Sequence, residues 1–329
     1  MNADSKVIAV SLLSGGLDST LAVRLLAEQG ITVIGVNFSG AYCPPPLEGE
    51  SNAVSAARQL GIELVTLAID AEFIAMVKAP KHGRGKHMNP CIDCHTLMIR
   101  KAWAYGQGRG AALVATGEVL GQRPMSQNRQ SLDVVARESG TSGFLLRPLS
   151  ARLLEPTVPE QQALVDRSRL LDIEGRSRTR QMALAAQWGI VEYPSPAGGC
   201  LLTEDVYSRR LAAAFARGED SLAFIELLSI GRHFRLASGG RVIVGRNRLE
   251  NDALLARCPE GSCVIDGTAL PGPLALLIPD RAEDRIAAAR LVARYSDKRK
   301  EAEATVLIAG WLVNVKPAAE GDMEGAEAE

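Results

Sequence analysis

The stretch Ser14-Gly15-Gly16-Leu17-Asp18-Ser19 decides the fold of the first half of this 329-residue chain. It follows an apolar run of strand length at 7–13 and precedes a helical pattern at 19–29. A strand, a Ser- and Gly-rich turn and a helix N-terminus form an anion cradle, because the free N–H groups of turn and helix point at one place. Gly15 and Gly16 let the backbone approach that anion without a Cβ. The stretch has no Lys and lacks the G-x-x-x-x-G-K-[ST] spacing, which excludes a Walker loop.

Apolar, β-branched runs alternate with helical patterns over the first 150 residues. The runs lie at 7–13, 31–38, 63–69, 111–116 and 144–149, and the helical patterns at 19–29, 51–60 and 91–107. Such alternation predicts an α/β fold, a doubly wound parallel sheet that binds ligands beyond the carboxyl ends of its strands. Further helices are predicted at 158–171, 176–188 and 204–217. After residue 218, short strands, a helix and a long apolar strand at 305–315 predict a smaller C-terminal α+β domain.

Length and composition predict the domain organisation. We expect a nucleotide-binding domain at 1–217, whose helical extension at 158–217 carries Cys200, and a second domain at 218–316. The tail at 317–329 has five acidic and no basic residues and is predicted to be disordered. The sequence shows neither a signal peptide nor the roughly 20 apolar residues of a membrane span, so we expect a cytoplasmic protein that does not bind membranes. The oligomeric state cannot be read from the sequence.

Cysteines form the second group of candidate site residues. Cys91 and Cys94 follow Asn89-Pro90 at a C-x-x-C spacing, which can hold one metal ion from a single helical turn. A thiol near a helix N-terminus also has a lowered pKa, which favours ligation or nucleophilic attack. The alternatives are a structural zinc site with His95 as an optional ligand, a redox pair and a haem attachment sequence. Cys200 is the candidate third ligand, since three cysteines leave one iron of a four-iron cluster open for chemistry. We interpret the remaining cysteines, Cys43, Cys258 and Cys263, as packing or incidental residues.

The order of these motifs resembles a known family. Ser-Gly-Gly-x-Asp-Ser is similar to the PP-loop of the ATP pyrophosphatase superfamily. Together with Asn-Pro-Cys-x-x-Cys at 89–94, Ala-Thr-Gly at 115–117 and a late Gly-Cys, it resembles the tRNA thiouridine synthetases. The resemblance implies an adenine nucleotide alpha hydrolase-like fold and a uridine sulfurtransferase that adenylates the base carbonyl, releases pyrophosphate and replaces oxygen by sulfur. It further implies ATP, Mg²⁺, tRNA and a sulfur donor, either free sulfide or a carrier protein.

The resemblance also assigns the site residues. Asp18, Cys91 and Cys200 are the expected catalytic residues, and Asp18 is expected to contact Mg²⁺. A [4Fe–4S] cluster is expected on Cys91, Cys94 and Cys200. Other members use two of these positions for a persulfide-bearing cysteine and its resolving partner, and zinc or no metal is the remaining alternative. The expected nucleotide-binding residues are Ser14, Gly15, Gly16, Asp18, Ser19, Gly35, Asn37, Thr116 and Gly117.

Candidate RNA contacts lie in both halves of the chain. The segment around Val244-Gly245-Arg246-Asn247 resembles the hairpin of the NFACT RNA-binding domain, which implies RNA contacts by Arg246 and Asn247. In the first half, Arg123 and Arg129 are candidates for RNA backbone contacts, and Arg147 for a place near the same cleft. The run Arg176, Arg178 and Arg180 is either a solvated helix face or a track for RNA. Two other functions stay open: a PP-loop enzyme acting on a small molecule, and a non-catalytic, zinc-containing RNA-binding protein.

Overall fold

The computed structural model describes residues 6–43, 46–194, 200–267, 272–319 and 326–328. It divides into two compact units, Met1–Thr203 (unit 1) and Glu204–Glu329 (unit 2). This division precedes the boundary predicted at 218 and assigns the helix at 205–216 to unit 2. None of the helices in the described ranges is long and apolar enough to cross a membrane.

Unit 1 is built on a five-stranded parallel sheet. Its strands are β1 (Ile8–Leu12), β2 (Thr32–Ser39), β3 (Glu63–Ala68), β4 (Leu113–Ala115) and β5 (Leu145–Leu146). Their order is β3-β2-β1-β4-β5, with β1 paired in parallel to both β2 and β4. The chain therefore reverses its winding direction between β1 and β4, which is the switch point where ligands bind in such sheets. The predicted doubly wound α/β fold is confirmed.

Helices cover both faces of this sheet. They are α1 (Leu17–Ala27), α2 (Asn52–Leu60), α3 (Asp70–Lys78), α4 (Cys91–Gly108), α5 (Arg129–Glu138), α6 (Val158–Gln161) and α7 (Thr179–Gln187). On one face, Val23 and Leu26 of α1 pack with Ala56 of α2 over β1. On the other face, Gly106 of α4 packs against Val10, where a Cβ would lie 2.6 Å from a Val10 methyl group. Burial on both faces explains why β1 has an almost continuous apolar sequence.

The prediction of a helix at 158–171 is wrong for most of that stretch. Only α6 forms there, and Ala163 adopts a left-handed conformation with φ of 57° that ends it. The chain then makes a short 3₁₀ turn at Arg167–Arg169, whose start is capped by the Asp166 carboxylate accepting the Ser168 N–H at 2.9 Å. Local side-chain capping thus replaces helix propagation in this segment.

Unit 2 contains a seven-stranded antiparallel sheet. Its strands are β6 (Arg232–Leu236), β7 (Arg241–Val244), β8 (Cys263–Asp266), β9 (Leu274–Ile278), β10 (Ala304–Ile308), β11 (Trp311–Val315) and β12 (Ala326–Ala328), in the order β11-β10-β8-β9-β7-β6-β12. Its helices are α8 (Asp205–Ala216), α9 (Leu222–Leu227), α10 (Arg248–Ala256) and α11 (Arg285–Arg294). One core holds Val292 of α11 against Val242, and a second holds Leu254 of α10 against Ile243. The predicted α+β domain is confirmed.

Two segments of unit 2 differ from the prediction. The apolar stretch 305–315 is a hairpin and not one strand, because Ala309 and Gly310 have φ of 47° and 89° and turn the chain between β10 and β11. In the acidic tail, for which disorder was predicted, Ala326–Ala328 pairs as β12 with β6. The remaining tail residues 320–325 and 329 lie outside the described residues.

Candidate functional site

The turn between β1 and α1 forms a cradle at the switch point. Gly16 precedes α1 in an extended conformation, and no side chain in the described part of the chain caps this helix start. The Ser14 hydroxyl accepts the Gly16 N–H at 3.3 Å and lies 3.2 Å from the Ser19 hydroxyl. Gly15 has φ of 77°, and a Cβ there would lie 2.1 Å from the backbone of Asn52. The uncapped helix start and the glycine turn fit the phosphate groups of the expected nucleotide.

The end of β4 lies against this cradle. Gly117 packs on the first turn of α1, so that an added Cβ would lie 2.5 Å from the Ser19 nitrogen and 2.6 Å from the Asp18 carbonyl carbon. The preceding residue, Thr116, donates its N–H to the Leu146 carbonyl at 3.0 Å, which fixes the strand end in the sheet. The Ala-Thr-Gly motif therefore holds the cradle in place from the side.

Replacing Gly117 by Ala is expected to push β4 away from the cradle and to raise the Kd for ATP by about tenfold to a hundredfold, since displacements near 1 Å at a site have effects of this size. Titration calorimetry of the full chain measures this. Gly108→Ala at the end of α4 is the matched control, because an added Cβ there meets nothing within 4 Å in the described structure. Equal ATP affinities of the two variants would contradict the prediction.

The two β2 residues predicted to lie near adenine have different environments. Gly35 lies inside the sheet, where a Cβ would approach side chains of Leu13 and Leu64 to 3.1 Å, so core packing itself requires a glycine. Asn37 is half-buried nearer the carboxyl end of β2 and pairs in register with Thr66. Their contact with adenine stays a prediction.

Asp18, in the first turn of α1, is engaged through one oxygen. Its Oδ2 accepts from Gln122 Nε2 at 2.7 Å and forms an ion pair with Arg178 at 3.2 Å. Its Oδ1 is buried without a hydrogen-bond partner among the described residues. A buried carboxylate oxygen without a donor suits a hard divalent cation, so Asp18 fits the expected Mg²⁺ contact. Arg178 is thus directed at the cradle, whereas Arg180 pairs with Asp172 at the surface.

The cysteine segments meet at the start of α4. Cys91 is the first residue of this helix and Cys94 lies in the same turn. The segment that carries Cys200 is tied to this helix start, because the Met88 N–H donates to the Leu202 carbonyl at 3.2 Å. The structure therefore places Cys200 near Cys91 and Cys94, from which it is separated by more than a hundred residues in the sequence.

Burial dominates the acidity of these thiols. It raises the pKa of Cys94 well above its ordinary value, and the neighbouring thiols of Cys200, Cys43 and Cys91 raise it further. Burial also raises the pKa of Cys200 to about 11, although nearby Arg123 favours its thiolate. The lowered pKa predicted from the helix N-terminus is therefore wrong for Cys94, because desolvation outweighs the helix dipole. Cys43, interpreted as a packing residue, belongs to this group of thiols, and no sequence motif marks it.

The described residues do not form a ready metal site. Within them, no three His, Cys, Asp or Glu side chains come close enough together to hold one ion. Cys91, Cys94 and Cys200 lie near one another but do not form such a three-ligand group in the described structure, and residues 195–199 directly before Cys200 lie outside the described ranges. His95, the optional zinc ligand, instead forms an ion pair through Nδ1 with Glu118 at 2.7 Å.

A buried ion-pair network lies behind the Ala-Thr-Gly motif. Glu118 accepts a hydrogen bond from Arg147 Nε at 2.9 Å and one from His95 at 2.7 Å, and Arg147 also donates to the Leu132 carbonyl at 3.0 Å. Burial alone would raise the pKa of Glu118, but the charge of Arg147 and the bond to His95 lower it to about 2. Arg147, predicted near the cleft, is thus the partner of Glu118, a residue that the sequence analysis missed although it follows the motif directly.

The four candidate RNA-binding residues differ in how far their side chains are already engaged within the protein. Arg123 is exposed, whereas Arg129 donates to a backbone carbonyl at 2.9 Å. In unit 2, Arg246 forms an ion pair with Glu250, and Asn247 caps α10 by accepting the Glu250 N–H at 3.0 Å. Each of these contacts still leaves donors for a ligand. RNA binding by the four residues stays a prediction.

Two family models match this chain. Residues 6–162 match the tRNA methyl transferase HUP domain, and residues 231–323 match the NFACT protein RNA binding domain. The first match ends before α7 and Cys200, so the segment that completes the site lies beyond it.

Curated relatives are similar to the first part of the chain. The tRNA-specific 2-thiouridylase MnmA of Xanthobacter autotrophicus is 29% identical over 168 residues, which are 46% of this chain and 42% of the relative. The protein of the same name from Methylobacillus flagellatus is 26% identical over 235 residues, which are 68% of this chain and 62% of the relative. The chain thus spans 42% to 62% of the length of these two relatives. A 4-thiouridine synthetase in complex with RNA and ATP aligns with 22% identity and a TM-score of 0.37 over 56% of this chain and 41% of that chain.

Proposed function

We propose that this chain is a PP-loop, tRNA-thiolase-like protein and acts as an ATP-dependent tRNA uridine sulfurtransferase of the cytoplasm. The matches of residues 6–162 to the tRNA methyl transferase HUP domain and of residues 231–323 to the NFACT RNA-binding domain support this proposal. The proposal joins three parts: a nucleotide cradle after β1, a thiol group at the start of α4, and an RNA-binding unit 2.

One observation carries the proposal. Gln122 donates to Asp18 in the nucleotide cradle, and the next residue, Arg123, lies close enough to Cys200 to influence its pKa. These two observations support a position of the thiols near the cradle. A sulfurtransferase needs this arrangement, because the activated base must form at the nucleotide and then meet sulfur without leaving the site.

The proposed reaction has two steps. The carbonyl oxygen of the target uridine attacks the α-phosphorus of ATP, which forms an O–P bond and releases pyrophosphate. Sulfur from the cysteine site then attacks the same base carbon, and AMP leaves with the original oxygen. The cradle binds the pyrophosphate, and Mg²⁺ on Asp18 would neutralise the charge that develops on it. Splitting the exchange of oxygen for sulfur into two steps follows the general logic of covalent activation.

The form in which the site carries sulfur is a separate proposal. The high pKa values of Cys94 and Cys200 mean that both are protonated thiols at neutral pH until sulfur, metal or substrate binds. A persulfide route needs only two thiols: the terminal sulfur of one cysteine's persulfide bonds to the base, and the second thiol then breaks the S–S bond. This releases the thiolated base and leaves a cysteine disulfide, which a thiol reductant restores to two thiols. A [4Fe–4S] cluster instead needs three thiols to converge. Iron and acid-labile sulfide in anaerobically purified protein would establish the cluster, and stoichiometric zinc without iron would exclude it.

The function is tested in the source organism by mass spectrometry of the nucleosides in bulk tRNA. We expect one thiolated uridine to disappear when the gene is deleted and to return with the wild-type gene but not with Asp18→Asn. The identity of that nucleoside also decides between a 2-thio and a 4-thio product. If every thionucleoside persists in the deletion strain, tRNA is not the substrate, and the small-molecule alternative takes its place.

A further inference from the structure

Three buried polar atoms without a partner gather beside the nucleotide cradle. They are Asp18 Oδ1, Arg178 Nε and Gln181 Oε1, each unpaired among the described residues. Gln181 is fully buried, and its Nε2 donates to Gln122 Oε1 at 3.4 Å, which links it to the partner of Asp18. A buried donor or acceptor without a partner is unfavourable, because folding has removed its hydrogen bonds to water and supplied none in their place. Three such atoms in one place therefore point to a ligand that satisfies them.

The chemistry of these atoms defines the ligand. The free Asp18 oxygen is an acceptor that requires a cation or a donor, and the free Arg178 nitrogen is a donor that prefers an anionic oxygen. A metal-bound polyphosphate supplies both at once. Asp18 lies in the first turn of α1, whose uncapped N-terminus also favours negative charge. The second observation, a fully buried polar side chain at Gln181, shows that this place is built into the fold and is not only a helix end.

The position of Arg178 allows it to pair with Asp18 in the absence of nucleotide and with phosphate in its presence. It directly precedes α7, which packs on α1, so its guanidinium reaches Asp18 in the first turn of α1. In the structure it neutralises the Asp18 carboxylate at 3.2 Å, a longer distance than the 2.7 Å bond from Gln122. When Mg²⁺ occupies Asp18, this role becomes redundant and the guanidinium is free to bind phosphate.

We propose that Arg178 is a phosphate-binding residue of the nucleotide site, which neutralises Asp18 before ATP binds and then contacts the pyrophosphate portion of ATP. This inference rests on the proposed ATP-dependent function and deepens it. The phosphate contact then lies beyond the matched HUP domain, in the part of the chain that leads to Cys200. This part of the chain therefore also contacts the nucleotide.

Titration calorimetry with the full chain tests the proposal, with ATP and AMP as separate probes in the presence of Mg²⁺. Arg178→Gln keeps a donor for Asp18 but removes the charge, and we expect the Kd for ATP to rise about tenfold or more. The Kd for AMP, which lacks the pyrophosphate portion, should change less than twofold. Arg178→Lys should raise the Kd for ATP less than Arg178→Gln does, because lysine keeps the positive charge. Arg180→Ala, two residues further along, is the control and should bind both nucleotides as the wild type does.

The outcomes separate this inference from the function. If Arg178→Gln weakens ATP and AMP equally, the residue is structural and the inference is overturned. If it binds ATP as the wild type does, the inference fails while the proposed function stands. If the wild-type protein itself binds no ATP, both are overturned.

Discussion

Replacing Cys200 by Ala is expected to reduce tRNA thiolation by on the order of 10³-fold or more while leaving the Kd for ATP unchanged. The thiol is needed only after adenylation, and the nucleotide cradle is formed by β1, α1 and the end of β4, none of which contains a cysteine. The measurement is the yield of thiolated nucleoside from wild-type and variant protein with tRNA, ATP, a thiol reductant and, in separate reactions, sulfide or a low-molecular-weight persulfide as the sulfur donor, beside ATP titrations of the same preparations. Full activity of Cys200→Ala would exclude a role for Cys200 in sulfur transfer.

The other cysteines sharpen the experiment. If three ligands hold a cluster, Cys91→Ala and Cys94→Ala lose as much activity as Cys200→Ala and also lose bound iron. If two cysteines act as a persulfide pair, one of the three variants keeps its activity. Cys258→Ala in unit 2 is the matched control, since this cysteine is only partly buried and lies in the other unit. Cys43→Ala then shows whether the fourth thiol of the group takes part.

The first domain was predictable because its signals are local. The apolar run before Ser14, the glycines after it and the regular alternation beyond it specify a parallel sheet without any long-range information. The pairing of β1 with β4 then follows from the winding rules of such sheets. The same local patterns gave wrong predictions at two places. A helix was predicted at 158–171, where the conformation of Ala163 and the capping by Asp166 end it early. One strand was predicted at 305–315, where Ala309 and Gly310 form a turn.

The partners within the site were not predictable, because they are set by packing between distant segments. Arg178 was one of three similar arginines in the sequence, and only the approach of α7 to α1 directs it at Asp18 while Arg180 faces Asp172. Cys43 belongs to no sequence motif. It lies near Cys94 because it comes four residues after the end of β2. Burial raises the pKa values of Cys94 and Cys200, whereas the position of a thiol near a helix N-terminus had predicted a lowered pKa.

Replacing Glu118 by Gln is expected to destabilise unit 1 by about 3–5 kcal/mol, the usual cost of breaking a buried ion pair. Glu118 and Arg147 have side chains only 5% and 6% exposed, so the variant leaves a buried guanidinium without its counter-charge. Urea unfolding followed by hydrogen exchange of peptides from unit 1 measures the loss in the full chain. In Glu118→Gln/Arg147→Met both charges are absent, and the double variant should be less destabilised than the single one. A double variant as unstable as the sum of both single variants would show that the pair contributes nothing.

The pH dependence provides an independent test of the same network. The pKa of Glu118 is lowered from 4.5 to about 2, so the ionised form stabilises the folded state by about 3 kcal/mol above pH 4.5. This contribution should be lost as the pH falls from 4.5 towards 2, and Glu118→Gln should show a flatter profile over that range. Glu138 is the matched control, since hydrogen bonds from His82 and Lys81 lower its pKa to about 2 as well, but at the protein surface. Because water and salt screen that surface pair, Glu138→Gln should cost much less stability than Glu118→Gln. Equal losses in the two variants would mean that burial of Glu118 is not the source of its effect.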